Sequence, residues 1–259
     1  MQEWDAICQP LVGKVIKIQQ DEWGDIIVID QRHERLLSFD NHYEQSRIDK
    51  NRPTMLVHDY TRAMLLGLAL IQPKHITLLG LGGGCLVRAL HSLLDEVKIE
   101  IVELRQAVVD VAQSYFDLPE TTQISITVAD AKEYSIAQKS ASTDIIFADM
   151  YQAYEMSPLQ IQEEFIYQCH RILSTDGWLV INYHDLPKAE SPLISCLNAL
   201  FEEVLVCPVP EDGNFILFAG KCKLGNPLNS YFKRIAPLQL KAKTRFDLLF
   251  RRLLRLSDY

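Results

Sequence analysis

Leu78-Leu-Gly-Leu-Gly-Gly-Gly-Cys85 decides the architecture. It follows the short apolar run His75-Ile-Thr-Leu-Leu79 and leads into a stretch with helical spacing over 85–94. It therefore reads as the turn from a buried strand into a helix. Glycines at Gly80, Gly82 and Gly84 let the backbone reach positive φ and approach a ligand with no Cβ in the way. The carboxyl edge of such a strand is where open α/β sheets hold their ligands. The loop has no Lys and no Gly-Lys-Ser/Thr ending, so it is not a phosphate loop for ATP. Cys85 breaks the GxGxxG spacing, which favours a single adenosine-type ligand over a dinucleotide.

Outward from the loop, strands and helices alternate. Lys98-Ile-Glu-Ile-Val102 is a second strand, 105–116 a helix, Ile124-Ser-Ile-Thr-Val128 a third strand and Thr143-Asp-Ile-Ile-Phe-Ala148 a fourth. A helix over 159–173 stops at Asp176-Gly177, and Trp178-Leu-Val-Ile-Asn182 is a fifth strand. A helix over 191–200 precedes strands over 203–209 and 214–219, which Glu211-Asp-Gly213 joins as an edge hairpin. Upstream, Pro53-Thr54 opens a helix over 54–71. This alternation predicts an α/β fold with a doubly wound, mostly parallel sheet of Rossmann type. Residues 13–46 instead carry β-branched runs (Val15–Ile18, Ile26–Ile29, Arg35–Phe39), which predict a small N-terminal antiparallel sheet of about three strands. The expected division is a small β-domain over 1–50, a ligand-binding domain over 51–220 and a basic tail over 221–259. The tail's Arg245-Phe-Asp-Leu-Leu-Phe-Arg-Arg-Leu-Leu-Arg-Leu256 reads as an amphipathic helix, packed on its own domain or on a second copy in a homodimer.

Three consecutive strands end in carboxylates beside the glycine loop. Glu103 ends the second, 23 residues after Gly80, where an acid can accept hydrogen bonds from ribose hydroxyls. Asp130 ends the third and Asp149 the fourth. Each acid alone would serve as a strand terminator or helix cap; their convergence points to a site.

Composition narrows the function classes. The net charge of −8 over 259 residues argues against a nucleic-acid coat. The charge is uneven: residues 221–259 hold ten of the 26 Lys and Arg but two of the 34 acids, leaving an acidic body suited to cationic ligands. No apolar run reaches the roughly 18 residues of a membrane span. Met1-Gln-Glu-Trp-Asp-Ala6 has two acids and no Lys or Arg, unlike a secretory signal. The six cysteines are scattered without CxxC spacing, which predicts reduced thiols, no metal and a cytoplasmic location.

Taken together, residues 15–220, about four-fifths of the chain, resemble the spermidine synthase family. These are polyamine aminopropyltransferases built on the fold of class I S-adenosylmethionine-dependent methyltransferases. The resemblance implies donor contacts from Gln45, His58, the Gly80–Gly84 loop, Glu103 and Asp130, with Asp149 as the catalytic-loop acid. It implies acceptor contacts from Asp59 and Tyr60, beside His58, and from Tyr151 and Tyr154 in a lid over 150–158. The run Glu163-Glu-Phe165 through Asp176-Gly-Trp-Leu-Val180 also resembles the family's segment after that lid. Three positions depart from the family pattern. Gly83 stands where the synthases carry an Asp that holds the donor amine, Val57 replaces their tyrosine before His58, and Asp149-Met-Tyr-Gln-Ala153 lacks their second acid.

The implied activity is transfer of an aminopropyl group from decarboxylated S-adenosylmethionine to an amine, at an acceptor site diverged from a standard putrescine site. Methyl transfer from S-adenosylmethionine is one alternative, since loss of the loop acid suits a donor that keeps its carboxylate. A non-catalytic nucleotide-binding module is the other.

Overall fold

The computed structural model describes residues 11–259 apart from 152–155, 187, 189 and 226. Its smaller sheet is an antiparallel meander of four strands: β1 (Lys14–Asp21), β2 (Gly24–Gln31), β3 (Glu34–Ser38) and β4 (Glu44–Asp49). The expectation of about three strands misses β4. Its sequence, EQSRID, has one apolar residue, so pairing with β3 and burial of Ile48 make it a strand rather than any hydrophobic pattern. Ile26, Val28, Leu37 and Ile48 turn inward onto Ala107, Val108, Val111 and Phe116 of the larger unit.

The larger sheet begins with β5 (His75–Leu79), β6 (Lys98–Glu103), β7 (Ile124–Val128) and β8 (Thr143–Ala148). It continues with β9 (Leu173–Tyr183), β10 (Glu203–Val209), β11 (Asn214–Gly220) and the two-residue β12 (Leu254–Arg255). The order is β12-β10-β11-β9-β8-β5-β6-β7. Strands β5 to β9 pair in parallel, and β9, β11, β10 and β12 pair antiparallel. The mostly parallel, doubly wound sheet and its edge hairpin are therefore present. The chain runs outward from β5 through β6 to β7 and returns to β8 on the other side of β5. The switch point thus falls between the carboxyl ends of β5 and β8, where such sheets open a crevice.

Alternate side chains of each central strand feed two cores. Ile145 and Phe147 face one and Ile146 and Ala148 the other, which is why these strands are apolar on both faces. One face is covered by α1 (Asp59–Met64), α2 (Gly67–Leu70) and α3 (Cys85–Leu93). Next in the chain come α4 (Gln106–Tyr115), which carries the small sheet, and α5 (Ala131–Ala137), α6 (Glu163–Ile172) and α7 (Pro192–Leu200), which cover the other face.

Three boundaries differ from expectation. The helix expected over 54–71 is two short ones, α1 and α2. A Cβ at Gly67 would lie 2.8 Å from Ile145 and 3.1 Å from Val180, so the chain is pressed flat on the sheet there and tightens into i→i−3 bonds at Leu66, Leu68 and Ala69. Helix α6 ends at Ile172, and Asp176-Gly177 lies inside β9. The tail is not one long helix. It forms α8 (Phe232–Ile235), α9 (Leu238–Ala242) and α10 (Phe246–Phe250), then turns extended into β12. Glu211 holds Arg252 at 2.6 Å and Glu203 holds Arg255 at 2.8 Å, and these pairings draw the chain along β10. Ile235, Phe246, Leu249, Phe250 and Leu253 are buried on the chain's own core. Among the described residues no helix is long and apolar enough to cross a membrane.

Candidate active site

The glycine loop leaves β5 at the switch point. Gly80, Gly82 and Gly84 all have positive φ, at 95°, 51° and 71°. Gly80 is the tightest: a Cβ there would lie 2.2 Å from the Asp149 carbonyl oxygen. The Asp149 N–H also donates to the Leu79 carbonyl at 2.9 Å, so the ends of β5 and β8 are locked together.

The other side of the loop is walled by β4. The pairing of β3 with β4 shifts register between Leu37 and Ser38, which makes Gln45 the extra residue of a bulge, and such bulges re-aim a side chain. The Gln45 carbonyl lies 3.9 Å from where a Cβ of Gly82 would stand. Ser46 Oγ lies 3.2 Å from Cys85 Sγ, which donates to the Arg47 carbonyl at 3.2 Å. A Cβ on Gly83 would meet Ser46 and Phe116 at 3.0 Å, so an acid at this position requires both to move.

Glu103, 8% exposed, ends β6 with both oxygens engaged by backbone. Oε2 accepts from Leu81 N–H at 2.9 Å and Oε1 from Arg105 N–H at 3.0 Å. Burial pushes its carboxyl above the usual range, against the pull of those amides. The carboxylate keeps acceptor capacity for a further donor. Asp130 is exposed and caps α5 through Lys132 N–H at 2.7 Å and Glu133 N–H at 3.4 Å, all on Oδ1. Its helix-cap role is real, and Oδ2 accepts no hydrogen bond among the described residues.

Asp149 is half-buried at the end of β8. Asn182 Nδ2 donates to Oδ1 at 2.9 Å. Burial raises its carboxyl to about 6, and Asn182, His58 and Tyr60 pull it down. Tyr60, in α1, turns its phenol toward this carboxylate; burial first, then Asp149, keep that phenol protonated. His58 precedes α1, stacks on Tyr60 at 5.6 Å and contacts Glu44 Oε1 at 2.8 Å. Arg47 grips the same carboxylate, and with His58 holds Glu44 below its usual range despite burial. The small sheet thus fixes His58 from outside the larger unit. Asp59 is engaged by Arg62 Nη1 at 2.6 Å. Tyr151 donates to the Asn182 carbonyl at 3.2 Å and packs edge-on against His184 at 5.1 Å. Tyr154 lies outside the described residues.

Several residues at this edge escape the sequence reading. Asn182 and Asn214 are buried, and Asn214 Nδ2 donates to Asn182 Oδ1 at 2.8 Å, fixing which way the Asn182 amide faces Asp149. Fully buried Gln160 links the Met150 N–H and the Asn182 carbonyl, at 3.1 and 3.2 Å. Asp212, in the β10–β11 turn, accepts from Tyr60 N–H at 2.7 Å. A signal exists for Asn182: it ends the fifth strand as Glu103, Asp130 and Asp149 end earlier ones. Gln160, Asn214 and Asp212 have no such signal.

No family model matches the sequence. The chain is 32% identical over 179 residues to a polyamine aminopropyltransferase of Neisseria meningitidis serogroup A, covering 68% of each chain. The structure of a probable spermidine synthase from Corynebacterium glutamicum superposes with a TM-score of 0.70 at 20% identity, over 87% of each chain. Human methyltransferase-like protein 13, solved with SAH, superposes with a TM-score of 0.62 at 22% identity, over 73% of this chain and 94% of that one.

Proposed function

The chain belongs to the polyamine aminopropyltransferase family, and from that premise we propose that it transfers the aminopropyl group of decarboxylated S-adenosylmethionine to an amine. One observation carries the assignment of chemistry to this edge. Asp149, with a carboxyl raised to about 6, stands beside Gly80 at the switch point and forms no ion pair among the described residues. Such a group is ionised at neutral pH and is a proton acceptor poised near the working range.

The proposed step is a displacement at carbon. The acceptor nitrogen, once it has passed a proton to Asp149, uses its lone pair to form a bond to the aminopropyl carbon attached to sulfur. The carbon–sulfur bond breaks, and its electron pair stays on sulfur, turning the sulfonium into a neutral thioether. The leaving group needs no help, so the chain's task is to align nucleophile and carbon and to exclude water. In this reading Glu103 accepts from the ribose hydroxyls, Asp130 Oδ2 borders the adenine, and the Gly80–Gly84 backbone borders the ribose and the donor's aminopropyl end. Gln45 and His58 border the donor's aminopropyl arm, and Tyr60 and Tyr151 flank the acceptor. The Asn214–Asn182 chain keeps one Asp149 oxygen aimed away, leaving the other for the amine.

Gly83 favours a second reading, methyl transfer from intact S-adenosylmethionine. Ser46 and Phe116 fill the space beside it, so no acid at 83 holds a donor amine or repels a donor carboxylate. Calorimetric titration with both donors separates the two. Tighter binding of the decarboxylated donor, with methylthioadenosine released in the presence of an amine, is the expected outcome. Tighter binding of S-adenosylmethionine, with S-adenosylhomocysteine as product, would replace the aminopropyl reading.

A further inference from the structure

Tyr60 spans two acids that are far apart in sequence. Its phenol faces Asp149, and its backbone N–H donates to Asp212 Oδ2 at 2.7 Å. The two carboxylates are thus set about one tyrosine side chain apart, the span of a short diamine in extended form. Other charges nearby are already matched: Glu211 by Arg252 at 2.6 Å, and Asp59 by Arg62 at 2.6 Å. Asp212 is half-buried, pairs with no cation among the described residues, and has no hydrogen bond to Oδ1 among them. Tyr60 stays neutral and adds no third negative charge between the two. A diamine entering a partly desolvated site needs a negative group near each ammonium.

Resting on the aminopropyl-transfer reading, we propose that Asp212 is the second carboxylate of the acceptor site and that it selects acceptors carrying two ammonium groups. One nitrogen of the acceptor meets Asp149 and is alkylated; the other remains an ammonium paired with Asp212. The departure from a standard putrescine site then has a specific form. The second acid comes from the β10–β11 turn instead of from the loop after Asp149.

Asp212→Asn separates this role from helix capping, because the amide oxygen still accepts the Tyr60 N–H while the charge is gone. Rates are measured with decarboxylated donor and with 1,3-diaminopropane, putrescine, cadaverine and the monoamine n-butylamine. The wild type is expected to prefer its best diamine over n-butylamine by at least roughly ten-fold, the worth of one charge-assisted hydrogen bond. In Asp212→Asn that preference collapses through a higher KM for the diamine, with n-butylamine turnover and donor affinity unchanged. Asp212→Ser, which also caps without charge, gives the same result if the Asn variant folds poorly. A wild type that uses n-butylamine as well as any diamine, or variants that keep the full diamine preference, would overturn the proposal. A wild type that binds no decarboxylated donor at all would instead overturn the transferase reading beneath it.

Discussion

The site as proposed has a donor half and an acceptor half that are built differently. The donor half comes from consecutive βα units: the Gly80–Gly84 loop, Glu103 and Asp130, with β4 as a wall. Its acids are held by backbone amides, two on Glu103 and two on Asp130. The acceptor half brings together Tyr60, Asp149, Asn182, Asp212 and Asn214 from four separate stretches of chain. Its central acid has a single amide hydrogen bond, from Asn182, and a carboxyl raised to about 6. Backbone amides fix a ligand's position cheaply in sequence, because they depend on chain path more than on residue identity. A reactive carboxylate needs specific side chains around it, and these come from wherever the fold delivers them. Binding is therefore expected to fail through the first half and chemistry through the second.

Asp149→Asn should have the largest effect. Turnover is expected to fall by about 10²–10⁴-fold, the range for loss of a general base, while donor affinity by calorimetry stays within a few fold. Equal losses in both quantities would erase the distinction between the halves. Glu103→Ala should do the converse, weakening donor binding by about 1.5–3 kcal/mol, as for a hydrogen bond to a charged group, with the acceptor KM unchanged. Unaltered donor affinity would remove Glu103 from the site.

The pH dependence sharpens the comparison. With Asp149 as base, kcat/KM should rise through an ascending limb near pH 6, following its carboxyl. Asn182→Ala removes the amide that favours the charged form, so the limb should move up by about one pH unit. An unmoved limb would mean that another group titrates. Stability should show the same group with opposite sense. The folded-state carboxyl lies above its unfolded value, so its contribution is fully present below about pH 4 and is lost as pH rises through about 6. The loss is at most about 3 kcal/mol and is lessened by partial exposure. Thermal melts should show Asp149→Asn gaining on the wild type between pH 4 and 7. Asp130→Asn should matter least, since an amide still caps α5; donor affinity is expected to change by no more than about three-fold.

How far the sequence reading reaches follows the same division. Strands β5, β6 and β8 read cleanly because burial of their inner residues calls for largely apolar runs between turn signals, while the edge strand β7, with no fully buried residue, reads through the β-branched alternation of Ile124-Ser-Ile-Thr-Val128. The glycine loop, Glu103, Asp130 and Asp149 follow from them, since a strand's last residue sits at the ligand edge whatever else the chain does. Strand β4 does not read, because EQSRID is a strand only by virtue of its neighbour. The tail fails for a related reason: Arg245–Leu256 has helical spacing, but Glu203 and Glu211 draw Arg255 and Arg252 along β10.

By itself, then, the sequence determined a doubly wound sheet, the position of its switch point and the acids that end its strands. Those features are local: apolar period, glycine placement and strand order within successive βα units. The surroundings that set Asp149's proton affinity were decided only by the tertiary structure. Tyr60 is 89 residues from Asp149, Asn182 is 33 and Asp212 is 63. No spacing rule joins them, because their meeting depends on α1 lying across the sheet and on the β10–β11 turn reaching the start of that helix. A proton's affinity for a carboxylate reflects the dielectric and dipoles within a few ångströms, and only folding fills that space.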